Sequence, residues 1–357
     1  MSGQSPEKIR GRGTTSTVDG RYLDWQREAV DDGWGDTEPP PPIRTSVTVE
    51  HPRTIISRNQ SPDIPFGASI NPYRGCEHGC SYCYARPTHA YLDLSPGIDF
   101  ESKLFAKPDA AVLLRRELGA KNYRCTPIAM GTNTDPYQPI EREWKITRQI
   151  IEVLHETRHP LTIVTKSHLV ERDIDLLAPM AEQGLVQVAL SITSLRNELA
   201  RKMEPRASAP LRRVETLRRL SEAGIPAAVM FAPVIPFIND AEMEAVLEQA
   251  AAAGARGTGY VIVRLPHEIK DLFSDWLEAN EPLKAERVLN TIRALRGGRL
   301  NDPQFGSRMK GKGQFADLIR QRFEHACARL GLNREEKELR TDLFRPPRGT
   351  DPQLDLL

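Results

Sequence analysis

Short apolar runs rich in β-branched residues alternate with longer amphipathic stretches through the middle of this 357-residue chain. The runs predict strands at 68–71, 127–131, 161–165, 186–192, 227–235 and 259–265. Apolar residues at helical spacing predict helices at 109–119, 141–158, 171–183, 210–223 and 239–254. Apolar strands that alternate with helices are typical of a parallel sheet covered by helices.

Six strands with intervening helices predict an α/β fold, a partial (β/α)6 TIM-type barrel. A complete eight-stranded barrel is not expected, because the pattern after Leu265 is helical, at 271–279, 283–296 and 314–330. The first 45 residues are rich in Gly, Ser, Thr, Asp and Pro, with Trp25 and Trp34 as exceptions that could anchor them to the body. We therefore expect a disordered or loosely draped tail at 1–45, the barrel at 46–268, a helical C-terminal extension at 269–345 and a flexible tail at 346–357.

The overall charge of the chain excludes no class of binding partner, whereas its hydropathy argues against a membrane span. The 49 Lys and Arg residues nearly balance the 48 Asp and Glu residues, so whole-chain charge favours no particular partner. No apolar run approaches the roughly 18–20 residues of a membrane span, and the N-terminus lacks the apolar stretch of a signal peptide. The expected location is the reducing cytoplasm.

Three cysteines, Cys76, Cys80 and Cys83, carry the clearest chemical signal, with the spacing C-x3-C-x2-C. Three thiolates on one loop can bind three irons of a [4Fe–4S] cluster and leave the fourth iron open to a substrate or cosubstrate. The alternative is structural zinc with His78 or His89 as fourth ligand. Disulfides are disfavoured, because three clustered cysteines cannot all pair.

The two other cysteines stand apart from this group. Neither Cys125 nor Cys327 has a second cysteine within four residues, so neither belongs to a second metal-binding pair. Cys327 lies on the apolar face of a predicted helix and is expected to be buried.

Polar residues follow the predicted strands. The second strand ends in Gly131-Thr-Asn-Thr-Asp135, the third in Thr165-Lys-Ser167, and the fourth in Ser191-Ile-Thr-Ser194. Carboxyl ends of parallel strands meet at one edge, where functional groups collect. Helix capping is the alternative role for any single one of these hydroxyls. Lys166 is the strongest candidate after the cysteines, because a lysine that closes an apolar strand is costly unless it meets an anion.

The cysteine motif has a tyrosine, Tyr82, before its last ligand. With the text from Ser61-Pro-Asp-Ile-Pro-Phe66 through Tyr84-Ala-Arg-Pro-Thr-His-Ala90, it resembles the spore photoproduct lyase-like, DNA-repair photolyase branch of the radical S-adenosylmethionine superfamily. The resemblance spans about residues 45–345. It implies a partial barrel whose cluster cleaves S-adenosylmethionine to methionine and a 5′-deoxyadenosyl radical, which abstracts hydrogen from a substrate. It also implies an electron donor such as flavodoxin or ferredoxin.

The resemblance assigns roles to residues at the strand ends. Lys166 would pair with the cosubstrate carboxylate, because this branch has a Lys-Ser pair on its third strand, and Tyr82 would lie near the adenine through its backbone. Hydroxyl donors to the ribose or the amino-acid end would be Thr132, Thr134, Ser167 and Ser191. Asp135 would accept from the cosubstrate ammonium or ribose.

One departure from that branch concerns the hydrogen-atom donor. Photoproduct lyases carry a cysteine at the end of the second strand, whereas this chain reads Ala129-Met-Gly-Thr-Asn-Thr-Asp135. Thymine-dimer repair is therefore not expected, and the remaining donor candidates are Tyr137 and a group of the substrate itself.

A basic loop follows the barrel and makes DNA or RNA a candidate substrate. Its cations lie among glycines, which suits contact with phosphates without base readout; they are Arg296, Arg299, Arg308, Lys310 and Lys312. A solvated loop is the alternative for such a charge run. Radical modification of a protein or a small metabolite, and a non-catalytic iron–sulfur regulator, are the competing functions.

Overall fold

All six predicted strands lie side by side in one sheet of the computed structural model, which describes residues 12–14, 18–23, 43–334 and 338–347. The strands are β1 (Ser46–Val49), β2 (Ile56–Arg58), β3 (Ala68–Ile70), β4 (Tyr73–Arg74), β5 (Lys103–Ala106), β6 (Ile128–Met130), β7 (Leu161–Thr165), β8 (Val186–Ser191), β9 (Ala227–Val234) and β10 (Gly257–Ile262). The main sheet has the order β10-β9-β8-β7-β6-β3-β2. Its first six strands are parallel, and only β2 is antiparallel.

The helices are α1 (Ile98–Ser102), α2 (Ala110–Leu118), α3 (Glu141–Trp144), α4 (Ile146–Glu156), α5 (Ile174–Glu182), α6 (Asn197–Met203), α7 (Pro210–Glu222), α8 (Met243–Ala252), α9 (Ile269–Asn280), α10 (Pro282–Leu295) and α11 (Gln314–Leu330). The last three form the predicted C-terminal helices. Within the described residues the sheet does not close, since β10 and β2 are its two edges. The predicted partial barrel of the α/β class is thus confirmed.

Burial on both faces explains why the short central strands β3 and β6 are mainly apolar, since every side chain in them is buried. Ile70, Ile128, Met130 and Ile163 are all fully buried. Helices cover the sheet with apolar stripes such as that of α4, where Ile150 and Leu154 are buried. Burying each such side chain contributes about 1.5–3 kcal/mol, which holds the strand ends in a fixed arrangement.

The predicted helix 141–158 is divided into α3 and α4. Lys145 between them has φ +51°, and the Glu141 carboxylate accepts the backbone N–H of Thr147 at 3.0 Å. The carboxylate therefore satisfies an amide at the start of α4 that would otherwise lack a partner. The tyrosine hydroxyl of Tyr73 also donates to Glu141.

A small second sheet, β1-β5-β4, packs beside the barrel and was not predicted. Its strand β1 is largely exposed, with a burial pattern that lacks the alternation on which strand prediction depends. The sheet leads through β4 directly into the cysteine loop.

Part of the predicted N-terminal tail contacts the body of the protein. Arg12 and Thr14 are buried, and Arg12 Nη1 donates to the Glu101 carbonyl at 2.7 Å. These residues are packed rather than loosely draped, whereas Trp25 and Trp34 lie outside the described residues. No described helix is both long and apolar enough to cross a membrane.

Candidate functional site

The three cysteines lie on one tightly wound loop between β4 and the 3-10 helix Arg86–Leu92. Cys76 and Cys80 are buried and Cys83 is partly exposed. Two turns shape the loop, since Gly79 N–H donates to Cys76 O and Cys83 N–H to Cys80 O. Gly79 has φ +67°, a conformation that favours glycine. The loop thus gathers three thiols in a sheltered position.

Burial raises the pKa of the Cys76 thiol and raises that of Cys80 to about 12. Iron binding would take the place of those protons. Among the described residues, no three His, Cys, Asp or Glu side chains converge closely enough to hold a single metal ion. A [4Fe–4S] cluster makes a different demand, because each thiolate binds a separate iron.

The two histidines considered as zinc ligands have other neighbours. His78 Nδ1 lies 3.2 Å from Asp135 Oδ2, and His89 Nε2 lies 2.9 Å from the Lys103 carbonyl oxygen. The loop therefore supplies three thiols as donors, which suits iron–sulfur chemistry better than a closed zinc site.

Lys166 follows β7 and brings a cation to the cysteine loop. Its Nζ donates to Ser191 Oγ at 3.2 Å and lies 5.8 Å from the centre of the Tyr82 ring. Burial acts to lower the pKa of Lys166, but the neighbouring Cys80 and Glu204 outweigh it and raise the pKa. The ammonium is therefore charged, and Ser191 accepts only one of its three hydrogens.

Sequence reasoning missed a buried ion pair beneath Tyr82. Glu204 and Arg213 are almost fully buried and paired through Oε2 and Nη2. Glu204 Oε1 accepts from the Tyr82 hydroxyl and from Thr193 Oγ1. Burial acts to raise the pKa of Glu204, but Arg213 and Lys166 prevail and lower it. The sequence feature that could have revealed this ion pair is Arg213, a charged residue within the apolar stripe of α7.

Asp135 joins the ends of β6 and β7. Its carboxylate accepts from Thr165 Oγ1 at 2.7 Å, from the Lys166 N–H at 2.7 Å and from the Tyr137 N–H at 2.9 Å. Burial acts to raise the pKa of Asp135, but His78 and these donors lower it to about 2. Groups of the protein therefore occupy both carboxylate oxygens.

The predicted hydroxyl donors fall into two groups. Thr132 is partly exposed near Asn71, with Oγ1 donating to Asn71 Oδ1 at 3.3 Å. The buried three are engaged in the protein: Thr134 Oγ1 donates to Tyr73 O, Ser167 Oγ accepts the Leu169 N–H, and Ser191 Oγ donates to Ala232 O. Ser167 thus caps the 3-10 helix His168–Asp173.

Tyr137 is fully buried, and its hydroxyl donates to Asp173 Oδ2 at 3.0 Å. Burial and the Asp173 carboxylate raise the pKa of Tyr137. Arg148 and Arg172 both pair with the same Asp173. This network belongs to the packing around α5 and gives the phenol a structural hydrogen bond.

The prediction that Arg296 contacts phosphate is wrong. Its buried guanidinium donates to four backbone carbonyls, those of Ile262, Val263, Ser307 and Arg308. Arg308 is also engaged, because its Nε donates to Asp63 Oδ2 at 2.6 Å. The exposed members of the loop are Arg299, Lys310 and Lys312.

Another cation, Arg264, lies at the mouth of the barrel just after β10. Its guanidinium carbon lies 4.9 Å from the centre of the Tyr84 ring, which is 46% exposed. No carboxylate in the described part of the chain lies within salt-bridge distance of Arg264. The hydroxyl of Tyr84 donates to the Thr132 carbonyl. An unpaired guanidinium therefore lies beside an exposed aromatic ring, and that ring belongs to the residue that follows Cys83.

Comparison with known proteins identifies this arrangement. The model of the Radical SAM superfamily matches residues 70–250, from β3 into α8. An uncharacterised protein of Mycobacterium tuberculosis is 39% identical over 232 residues, which cover 64% of this chain and 68% of the relative. An uncharacterised protein of Methanocaldococcus jannaschii is 32% identical over 174 residues, or 48% of this chain and 62% of that protein.

Solved structures with the same fold include spore photoproduct lyase in complex with dinucleoside spore photoproduct. It covers 80% of each chain with a TM-score of 0.57 and 16% sequence identity. A mutant of that lyase with bound AdoMet and the dinucleoside matches over the same share with a TM-score of 0.56 and 17% identity. At such identity the likeness concerns the fold.

Proposed function

The chain belongs to the radical S-adenosylmethionine superfamily, and we propose that it uses a [4Fe–4S] cluster to cleave S-adenosylmethionine for hydrogen abstraction from a substrate. Members of this superfamily are enzymes, and so is this protein. When bound, the cluster supplies the electron that splits the cosubstrate into methionine and a 5′-deoxyadenosyl radical. Flavodoxin or ferredoxin is the proposed source of that electron.

The observation that carries the proposal is the presence of three thiols on one loop and, beside that loop, of Lys166, whose ammonium has one hydrogen-bond partner. Cys76, Cys80 and Cys83 would hold three irons, and the open iron would face the cosubstrate. Lys166 extends from the end of β7 toward Tyr82 and Ser191, where its ammonium would bind the methionyl carboxylate. The charge-assisted bond is favourable because the ammonium is only partly exposed to water.

The remaining residues have supporting roles in the proposal. Thr132, which is partly exposed at the strand ends, is the hydroxyl best suited to contact the cosubstrate directly. Asp135, Thr134 and Ser167 fix the backbone at the strand ends, because they hydrogen-bond to main-chain groups of Lys166, Tyr73 and Leu169 respectively. Ser191 orients the Lys166 ammonium.

For the substrate we propose a nucleic acid or nucleotide-like molecule. Support comes from the fold shared with spore photoproduct lyase and from the mouth of the barrel, where Arg264 and Tyr84 present a free cation beside an exposed ring. Such a pair suits a phosphate and a stacked base. Because Gly131–Asp135 contains no cysteine, the proposed reaction is a modification rather than photoproduct reversal.

The test is anaerobic reconstitution with iron and sulfide, followed by measurement of 5′-deoxyadenosine under reductant. Wild-type protein and the Cys125→Ala control are expected to hold a cluster and release 5′-deoxyadenosine, and Cys83→Ala to do neither. Added DNA or RNA is expected to raise the yield, with a binding affinity that falls steeply with salt. An intact cluster in Cys83→Ala would contradict the cluster assignment. A response to cell protein or metabolites alone would shift the substrate to those classes.

A further inference from the structure

The N-terminal residues Arg12–Thr14 lie against the part of the cysteine loop that precedes Cys80. The contact is close, because a Cβ built on Gly13 would lie 1.5 Å from the carbonyl oxygen of Gly79. Only glycine therefore permits this approach. Gly79 in turn lies between Cys76 and Cys80, so the contact is made within the proposed cluster loop.

Buried Glu101 of α1 connects this segment to the loop. Its carboxylate accepts the Gly13 N–H at 2.9 Å, the Thr14 N–H at 3.0 Å and the Thr14 hydroxyl at 3.1 Å. The same carboxylate pairs with Arg86 at 2.5 Å. Two buried charges and four donors thus converge at one point, where each unpaired group would be costly.

Arg86 extends the connection to a cysteine. It is fully buried, and its Nε donates to the carbonyl oxygen of Cys80 at 2.8 Å. Its Nη1 donates to Gly97 O at 2.8 Å. The chain of contacts therefore runs from the Gly13 and Thr14 amides through Glu101 and Arg86 to the backbone of Cys80.

A second piece of the N-terminal region, residues 18–23, packs against the segment that follows Cys83 and against Glu268. Arg21 pairs with Glu268, which follows β10, at 3.0 Å. The ring of Tyr22 stacks on Tyr91 with centres 5.2 Å apart, and Ser95 Oγ donates to Val18 O at 2.7 Å. Contacts at 12–14 thus reach the cysteine loop and α1, whereas contacts at 18–23 reach the segment that follows Cys83 and the end of β10.

We propose that residues 12–14 and 18–23 form a strap that positions the Cys80 arm of the cluster loop and limits access of solvent to the cluster. Gly13 and Glu101 are positioning residues in this proposal, since they act through the Cys80 backbone. The inference rests on the proposed [4Fe–4S] site. It predicts that a weakened strap speeds loss of iron even when the barrel remains folded.

The experiment measures how fast the reconstituted full-length protein loses cluster iron to EDTA under argon, monitored by cluster absorbance. Gly13→Val cannot keep its contact with Gly79, and Glu101→Gln keeps size but leaves donors unpaired. Each variant is expected to lose iron about tenfold or more faster than wild type, given the strength of hydrogen bonds to a buried charge. Gly67→Ala is the matched control, because a Cβ there meets nothing closer than 3.9 Å; it should behave as wild type.

Two further measurements keep the result interpretable. Circular dichroism checks that each variant is folded, and trypsin cleavage after Arg12 and Arg21 reports release of the strap. Iron loss at the wild-type rate in both folded variants would overturn the proposal. If wild-type protein holds no cluster at all, the proposed function fails instead, so the two failures are distinguishable.

Discussion

Replacing Lys166 by methionine tests whether its ammonium binds the cosubstrate carboxylate. Methionine keeps the length and apolar character of the stem, so a loss of binding would report the charge. Within the described residues, no carboxylate is hydrogen-bonded to Lys166 Nζ, whose one hydrogen-bond partner there is Ser191 Oγ at 3.2 Å. The lysine therefore has hydrogen-bonding capacity left for a ligand.

The magnitude follows from the position of the lysine. Removing one member of a buried, hydrogen-bonded charge pair costs about 2–5 kcal/mol. Lys166 is partly exposed, so we expect the lower part of that range, about 2–3 kcal/mol. This corresponds to about a 30- to 150-fold rise in the dissociation constant for S-adenosylmethionine.

The assay is equilibrium binding of S-adenosylmethionine to anaerobically reconstituted protein, with iron content measured on the same samples. Lys202→Met is the matched control, because Lys202 is partly buried but pairs with Glu198 at 3.0 Å. Normal binding by Lys166→Met would refute the carboxylate assignment. Loss of the cluster in that variant would show that Lys166 instead stabilises the loop through Cys80 and Glu204.

Two further predictions concern stability. Arg296→Met should lower the free energy of unfolding by about 3 kcal/mol, because it leaves buried carbonyls without a donor. The exposed control Arg299→Met should change that free energy little. Equal effects of the two substitutions in urea titrations would contradict the burial of Arg296. Burial lowers the pKa of His159 from 6.5 to about 4, so the unfolded chain binds the proton first and stability should fall as pH drops through that interval, by about 3 kcal/mol in all. His159→Gln should lack this decline, and an unchanged pH profile in the variant would refute the assignment.

Local patterns were enough to predict the barrel and the cysteine loop. The strands from Ala68 to Ile262 are mainly apolar runs, and the cysteine spacing fits within eight residues. The small sheet was missed because β1 is mostly exposed and β4 has only two residues. The stretch that contains Gly13 was predicted to be loosely draped because it is rich in glycine. In the structure, Gly13 instead packs closely against Gly79.

Arg296 and Glu204 show why the charges were harder to predict than the strands. Both depend on partners distant in sequence: Arg296 on the Ile262 and Val263 carbonyls, and Glu204 on Tyr82, 122 residues away. A charge run in sequence predicts a solvated or anion-binding loop with equal ease. Only the fold reveals which guanidinium is buried among carbonyls.

The same non-local pairing identifies the cation that is available to a ligand. Asp135 accepts hydrogen bonds from Thr165 and from two backbone amides, and Glu204 accepts from Tyr82, Thr193 and Arg213. A carboxylate offers about four lone-pair sites, so both acids beside Lys166 are almost saturated by groups of the protein itself. They keep the lysine charged without binding its hydrogens. A charged ammonium that has one hydroxyl partner and lies near the Cys80 thiol is therefore suited to an external anion.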